Sequence, residues 1–232
     1  MSARPTQTQS LAGPGAELAP KLGFAIQDAK PVQFAAVPTL CFAVSLQCVG
    51  GGAIRSATLN TQLRIAATRR SYNSDEKQRL VEVFGGQREF GRALASLLWT
   101  QTTLIVPPFT DSTVCELYIP CTYDFEVAAS KYLDALADGL APLEFLFSGT
   151  VFYSIDGGQL RVAHIPWDSE ADFALPVSVY RQAMDYHFPD SAWLRLQRDT
   201  FDRLYDYRAR NSMLSWESTV EALLDEAGRF DG

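Results

Sequence analysis

Imidazole is scarce in this sequence: 232 residues carry two histidines, His164 and His187. Most hydrolytic designs route protons through histidine, so few candidates exist for that chemistry. Thiols are scarce as well. Four cysteines in a chain of this length are not a disulfide framework. There is no C-x-x-C, no H-E-x-x-H, no G-x-S-x-G elbow and no G-x-x-x-x-G-K-S/T loop, and GGQREFG (85–91) does not fit a Rossmann turn. No apolar run reaches the ~18 residues that a transmembrane helix needs. Basic charge is not in excess either. The formal net charge is −7, which repels a phosphate backbone and makes nucleic acid a poor partner. The N-terminus has neither an apolar signal core nor a twin arginine, so a cytoplasmic protein without membrane insertion is expected.

What is present is apolar mass: 47% of the residues are hydrophobic and 20% charged, an ordinary globular balance with material for a sizeable core. Residues 1–21, rich in Pro, Gly, Ser, Thr, Gln and Ala, read as a disordered tail. Residues 22–190 read as one domain, and 191–232 as a helical appendage packed on it, with Pro189 and Asp190 at the junction.

Strand periodicity follows the tail. Segments 22–29 and 33–38 offer an edge strand. Leu40, Phe42, Val44, Leu46 and Cys48 share one face of the next strand. After the glycines at 50–52, Ala57, Leu59, Leu63, Ile65 and Ala67 alternate with Thr58, Asn60, Gln62 and Arg64. That is a half-solvated antiparallel strand, which the sequence pairs with its predecessor as a hairpin. Two helices follow, one N-capped by Ser74 with a Leu80, Val83, Phe84 stripe. The other carries Phe90, Ala93, Leu94, Leu97 and Leu98, with Trp99 closing it. Residues 99–109 then return to strand.

The densest stretch in polar and aromatic groups is VCELYIPCTYDFEVAASKYLDALADG, from Val114 to Gly139. Extended backbone puts Cys115, Leu117, Ile119 and Cys121 on one face and Val114, Glu116 and Tyr118 on the other. Six residues at ~3.3 Å each separate the two thiols by about 20 Å, too far to share one ion. Cysteine on such a face packs as a small hydrophobe. From Asp124, an expected N-cap, a helical stripe runs through Phe125, Ala128, Ala129, Tyr132, Leu133 and Leu136 to a stop at Gly139, with Glu126, Lys131 and Asp134 turned to water. PLEFLFSGTVFY, apolar on both faces, suits a central strand; IDGG turns it back through QLRVAHIP.

His164 falls in phase with Leu160 and Val162. His187 lies in PVSVYRQAMDYHFP, a helix with Pro176 in its first turn and Pro189 as its stop. A packed or rim position is expected for each. The end reads as a short strand SAWLRLQ, a helix from Thr200 and a last helix from Ser215. Asp199 to Arg203 and Asp206 to Arg210 have the i,i+4 spacing of a solvated helix face. Arg64, Arg69 and Arg70 form a smaller basic spot. The fold expected is α+β: an antiparallel sheet or sandwich core flanked by helices, with a C-terminal helical segment.

No residue is marked as catalytic, metal-ligating or cofactor-binding. The residues placed to bind a protein partner are Tyr186, Phe188 and Trp193, large aromatics around Pro189 at an element junction. Three classes stay open: a noncatalytic binding or assembly protein, an enzyme with a site assembled over long range, and a structural subunit.

The runs LLWTQTTLIVPPF, CTYDFEVAASKYLDAL, FLFSGTVFY, IPWDSEADFALPVSVYRQAMDYHFP and WLRLQRDTFDRLYDYR resemble an uncharacterised, mainly actinobacterial family. Genes of that family lie beside those of actinobacterial-type, high-affinity NiFe hydrogenases. The resemblance spans about residue 22 to the end. It implies an accessory or maturation protein whose partner is a hydrogenase subunit or maturation factor, and it carries no catalytic residues across.

Overall fold

The computed structural model describes residues 19–50, 52–85, 95–122, 127–155, 158–189, 191 and 195–228. The chain divides into two compact units, Met1–Ser191 and Ala192–Gly232. Residues 1–18 of the expected tail lie outside the described residues. Lys21, at the tail's end, already belongs to a strand.

The first unit is an α+β sandwich. Strands β1 (Lys21–Pro31), β2 (Thr39–Val49) and β5 (Ser112–Pro120) form one sheet in the order β1-β2-β5. Strands β3 (Ile54–Ile65), β4 (Leu97–Val106), β6 (Leu140–Ser154) and β7 (Leu160–Pro176) form the other, in the order β4-β3-β6-β7. All pairings are antiparallel. The inward faces follow the period of two: Leu40, Phe42, Val44 and Leu46 from β2, and Ala57, Leu59, Leu63 and Ile65 from β3, are sealed from water. Phe42 meets Phe145 edge to face, with centroids 5.2 Å apart, and Phe24 stacks on Phe147 at 4.4 Å. Thr61, in phase with this face of β3, is buried among them.

Three expectations about the strands change. β2 and β3 are not a hairpin: β2 pairs with β1 and β5, β3 with β4 and β6. The turn between them carries the chain from one sheet to the other. A Cβ on Gly52 would stand 1.5 Å from the Ser154 carbonyl oxygen, which requires glycine at that crossing. Alternation reveals which face is buried, but not whether the next strand lies beside or opposite. Residues 33–38 are a loop rather than a strand. Leu97, Leu98 and Trp99 belong to β4, paired with Ile65 and Arg64, so ladder pairing overrides the helical spacing there; residues 86–94 of that expected helix lie outside the described residues.

Helix α1 (Ser74–Arg79) starts one residue earlier than expected. Asn73 caps it: its Oδ1 accepts from Glu76 N at 2.8 Å, while Glu76 Oε2 accepts from Asn73 N at 3.2 Å. A short α2 (Val81–Phe84) follows, and Leu80 and Phe84 are buried as expected. Helix α3 (Ala128–Ala135) buries Ala129, Tyr132 and Leu133, with Leu136 just past its end, whereas Ala128 is exposed. Its N-cap position is Val127; Asp124, Phe125 and Glu126 lie outside the described residues. Helix α4 (Val177–Asp185), with Pro176 at its N-cap position, buries Val177, Tyr180, Ala183 and Met184 and packs against β1, β2 and β7.

β6 is central and β7 returns beside it, as expected. Their register skips: Phe147 pairs with Ser169 and Gly149 with Ile165, leaving Pro166, Trp167 and Asp168 opposite Ser148. That bulge sits where Gly149, at φ 146, brings β6 so close to β3 that a Cβ would lie 2.0 Å from the Thr58 carbonyl oxygen.

The second unit is a helical hairpin, α5 (Arg198–Arg210) and α6 (Trp216–Gly228). Arg195–Gln197 are not extended strand, which removes the described part of that expectation. Ser215 caps α6, its Oγ accepting from Ser218 N at 3.0 Å. Trp216 packs on Phe201 at 5.3 Å and on Tyr205 at 6.1 Å, under the Arg208 guanidinium at 4.6 Å. Arg210 Nε donates to the backbone carbonyl of Asp206 rather than to its carboxylate.

Candidate functional site

The loop between β1 and β2 is bounded by Pro31 and Pro38, and its shape is fixed by polar contacts. Val32 N donates to Thr39 O at 2.9 Å, and Thr39 Oγ1 to Val37 O at 2.8 Å. His187, just past α4, donates through Nε2 to Ala35 O at 2.8 Å, while its Nδ1 lies 3.2 Å from Ala183 O. Within this pinned loop Phe34 adopts φ 61 and is 99% exposed. A bulky residue in the left-handed region is strained by roughly 1–2 kcal/mol, and an exposed phenyl ring returns nothing to the fold.

Beside the loop, the ends of β1, β2 and β5 bring Lys30, Cys41 and Tyr118 into register. Glu116 lies between two of them: Lys30 Nζ donates to its Oε1 at 3.0 Å and the Tyr118 hydroxyl donates to its Oε2. The Tyr118 phenol is pushed up to about 12, chiefly because ionising it would forfeit its hydrogen bond to Glu116. The same bond, with Lys30, holds the Glu116 carboxyl below its ordinary value, and Glu116 raises Lys30. Burial raises the Cys41 thiol. Every shift deepens the charge state that each group already has at neutral pH, so none of the four is poised to change its protonation near pH 7. It is equipped to present fixed charge and hydrogen-bonding groups.

A shallow cavity of about 460 Å³ opens here, with Lys30, Gln33, Tyr118, Gln182 and Tyr186 on its walls. Tyr186 is 40% exposed and its hydroxyl accepts from Gln182 Nε2 at 2.9 Å. Phe188 is half-buried with its ring 6.3 Å from that of His187. Trp193, the third residue expected in the binding surface, lies outside the described residues. The structure thus joins Tyr186 to residues missed in the sequence, Lys30, Gln33, Tyr118 and Gln182, with Phe34 next in the loop after Gln33. The available signal was a lone phenylalanine in a proline-bounded loop, together with the alternation that already put Glu116 and Tyr118 outward.

The remaining reactive groups have structural surroundings. Half-buried Arg70 pairs with buried Glu76, Nη2 to Oε1 at 2.6 Å, and also donates to the carbonyls of Asp138 and Leu140. Arg69 bridges Glu144 and Asp172, so two of the three arginines of the basic spot are neutralised. Asp134 is half-buried rather than turned to water, and burial lifts its carboxyl to about 6 against the smaller pull of the Tyr180 hydroxyl and Arg181. His164 stands opposite Thr150 on β7, and its phase mates Leu160 and Val162 are exposed, so that face is not an apolar core face. All four cysteines are free thiols, with Cys41, Cys115 and Cys121 buried. Among the described residues no three His, Cys, Asp or Glu side chains converge as a metal site, and no helix is long and apolar enough to cross a membrane.

A family model described as a family of unknown function, DUF6084, matches residues 19–231. The chain belongs to that family. No curated protein matches it. Among solved structures, similarity extends to the CARDB domain of a Pyrococcus furiosus protein in complex with di-metal ions, at 12% identity and a TM-score of 0.27, covering 68% of this chain and 92% of that one. It also extends to β-glucosidase 3B of Thermotoga neapolitana, at 11% identity and a TM-score of 0.25, covering 67% of this chain but 17% of the enzyme. A β-glucosidase of Kluyveromyces marxianus gives 10% identity and a TM-score of 0.23, covering 68% of this chain and 15% of the enzyme.

Proposed function

We propose that this DUF6084 member is a noncatalytic accessory protein of the cytoplasm that holds a protein partner on the surface formed by the β1–β2 loop, β5 and the end of α4. The observation that carries the reading is Phe34: a fully exposed aromatic at positive φ, on a loop that His187 pins in place. Strain without a folding return is a mark of functional segments, and large rigid aromatics are the anchors that interfaces favour. Tyr118 and Tyr186 supply amphipathic rings to the cavity lined by Gln33, the loop residue before Phe34, and the Lys30–Glu116 pair gives the polar rim. The resemblance to a hydrogenase-linked family makes a NiFe hydrogenase subunit or maturation factor the specific partner proposed.

Affinity purification of the tagged full-length protein from its native host tests this directly. The wild type is expected to recover a hydrogenase subunit or maturation factor, and Phe34→Ala and Tyr186→Ala to lose it with unchanged melting temperatures. Equal recovery by wild type and both variants, or recovery of no partner by the wild type, overturns the proposal. The structural-subunit reading draws on a different observation. The helical unit leaves Tyr205, Leu214 and Leu224 more than half exposed, at 55%, 95% and 66%, and deletion of residues 192–232 would separate the two readings.

A further inference from the structure

The outer face of the four-stranded sheet has a composition that neither the fold nor the partner surface accounts for. One row crosses it from edge to edge: Thr103 on β4 pairs with Asn60 on β3, Asn60 with Ser148 on β6, and Ser148 faces the bulge of β7 that carries Trp167. The row beside it runs Gln101, Gln62, Leu146. These side chains line a shallow cavity of about 460 Å³, within the ~300–1,000 Å³ typical of small-ligand sites.

Trp167 is 86% exposed. Its position is built rather than accidental, because three residues of β7 stand opposite one of β6, and Pro166, which cannot donate to the ladder, occupies the bulge. Such bulges re-aim a side chain, and here the result is an indole standing at the rim of a floor of amides and hydroxyls. Thr103 Oγ1 donates to Asn60 Oδ1 at 3.2 Å, which leaves the Asn60 amide nitrogen to donate to a ligand.

The floor carries no charge. Each Gln or Asn amide offers two donors and an acceptor, and each Ser or Thr hydroxyl offers both roles. The charges lie outside it and are mixed: Asp168 and Glu170 on β7, and Arg64, next on this face of β3, opposite a Glu144 that is bonded to Arg69. None of the residues that line the floor is cationic, so a phosphate or sulfate ester would find no counter-charge within it. A ligand with many hydroxyls and an apolar ring face matches every part of the surface. We propose that this face binds a neutral carbohydrate chain, with one sugar ring stacked on Trp167 and its hydroxyls bonded by Asn60, Gln62, Gln101, Thr103 and Ser148. The open, strand-crossing shape suits a chain rather than an enclosed monosaccharide.

The site is separate from the partner surface, so the two can be tested independently. The full-length protein would be run through native gels containing dextran, laminarin, xylan or galactomannan, and screened on an array of neutral and acidic glycans. Retardation by at least one neutral polysaccharide is expected. Trp167→Ala should weaken it about tenfold or more, a ring-stacking contribution near 1.4 kcal/mol. Trp167→Phe should retain part of it, and Gln62→Ala should weaken it further. Melting temperatures should not change, because the indole is exposed, and Phe34→Ala should bind glycan as the wild type does. Binding to no neutral glycan in either format, binding to acidic glycans alone, or binding that Trp167→Ala leaves intact overturns the proposal.

Discussion

His187 Nε2 lies 2.8 Å from the carbonyl oxygen of Ala35, a contact between residues 152 positions apart. Through it the end of α4 sets the shape of the loop that carries Phe34. His187→Ala should therefore free the loop without unfolding the sandwich. Hydrogen exchange at Val32, whose amide donates to Thr39 O at the base of the loop, is expected to speed about tenfold, as the loss of roughly 1.4 kcal/mol of local stabilisation implies, while β2 amides keep their protection. Unchanged exchange in the loop would show that other contacts hold it.

Asp134 predicts a pH dependence of definite sign. Burial raises its carboxyl to about 6 from 3.8, so the folded chain binds a proton more tightly than the unfolded one. The contribution is fully present below about pH 4 and is lost as pH rises through about 6, on the order of 3 kcal/mol in all. Glu76 acts in the opposite sense. Burial alone would raise it, but N–H bonds from Ala137 and Asn73 and the charge of Arg70 hold it below its ordinary value. Its stabilisation is present above the unfolded value of 4.5 and lost as pH falls through the folded one. The test is a difference: Asp134→Asn should be more stable than the wild type at pH 7, and the gap should close by pH 4 in urea titrations. A constant gap would assign Asp134 an ordinary carboxyl.

The period-of-two pattern was enough to place Cys115, Leu117, Ile119 and Cys121 on a buried face, and β6 in the middle of a sheet, because local alternation is what burial on one side imposes. It could not decide that β2 and β3 belong to different sheets, since opposite and adjacent strands share the same inward pattern. It misplaced Leu97 and Leu98 for a related reason: i,i+3 and i,i+4 spacing over a short span does not outweigh the ladder with β3. Phe34 was hidden because what sets it apart is a dihedral angle, in a loop held by a bond from His187 to the carbonyl of Ala35. Tyr186 was legible, since an aromatic beside a proline-stopped helix end marks a junction. Asp134 was not, because its burial depends on what α3 packs against.

The Arg70–Glu76 pair is the most sensitive polar contact of the first unit. Its side chains are 12% and 3% exposed, and Glu76 also completes the cap of α1 and accepts from Ala137 N at 3.0 Å. Glu76→Ala would leave a guanidinium buried without its counter-charge, which costs about 3–5 kcal/mol. Chemical denaturation should register that loss with the m-value unchanged. The exposed pair Lys30–Glu116 should behave differently, with Lys30→Ala leaving the denaturation midpoint almost unchanged. Similar losses at both positions would mean that the buried pair has relaxed into solvent.

The four thiols should separate cleanly by reactivity. Only the thiolate attacks an alkylating reagent, so reactivity tracks access and thiol acidity together. Burial raises all four, Cys121 furthest at about 12, and only Cys48 is even half-exposed, its Sγ 3.3 Å from the Gly50 carbonyl oxygen. Iodoacetamide at pH 8 should label Cys48 slowly and leave Cys41, Cys115 and Cys121 unmodified until the sandwich is unfolded, at which point all four react at one rate. The labelling order also probes the outer face above Cys41, whose thiol lies among Lys30, Glu116 and Tyr118. Tyr118→Ala should expose Cys41 to the reagent while the core thiols of β5 stay protected. Labelling of Cys115 or Cys121 before Cys48 in the native protein would contradict the burial that places both on the inward face.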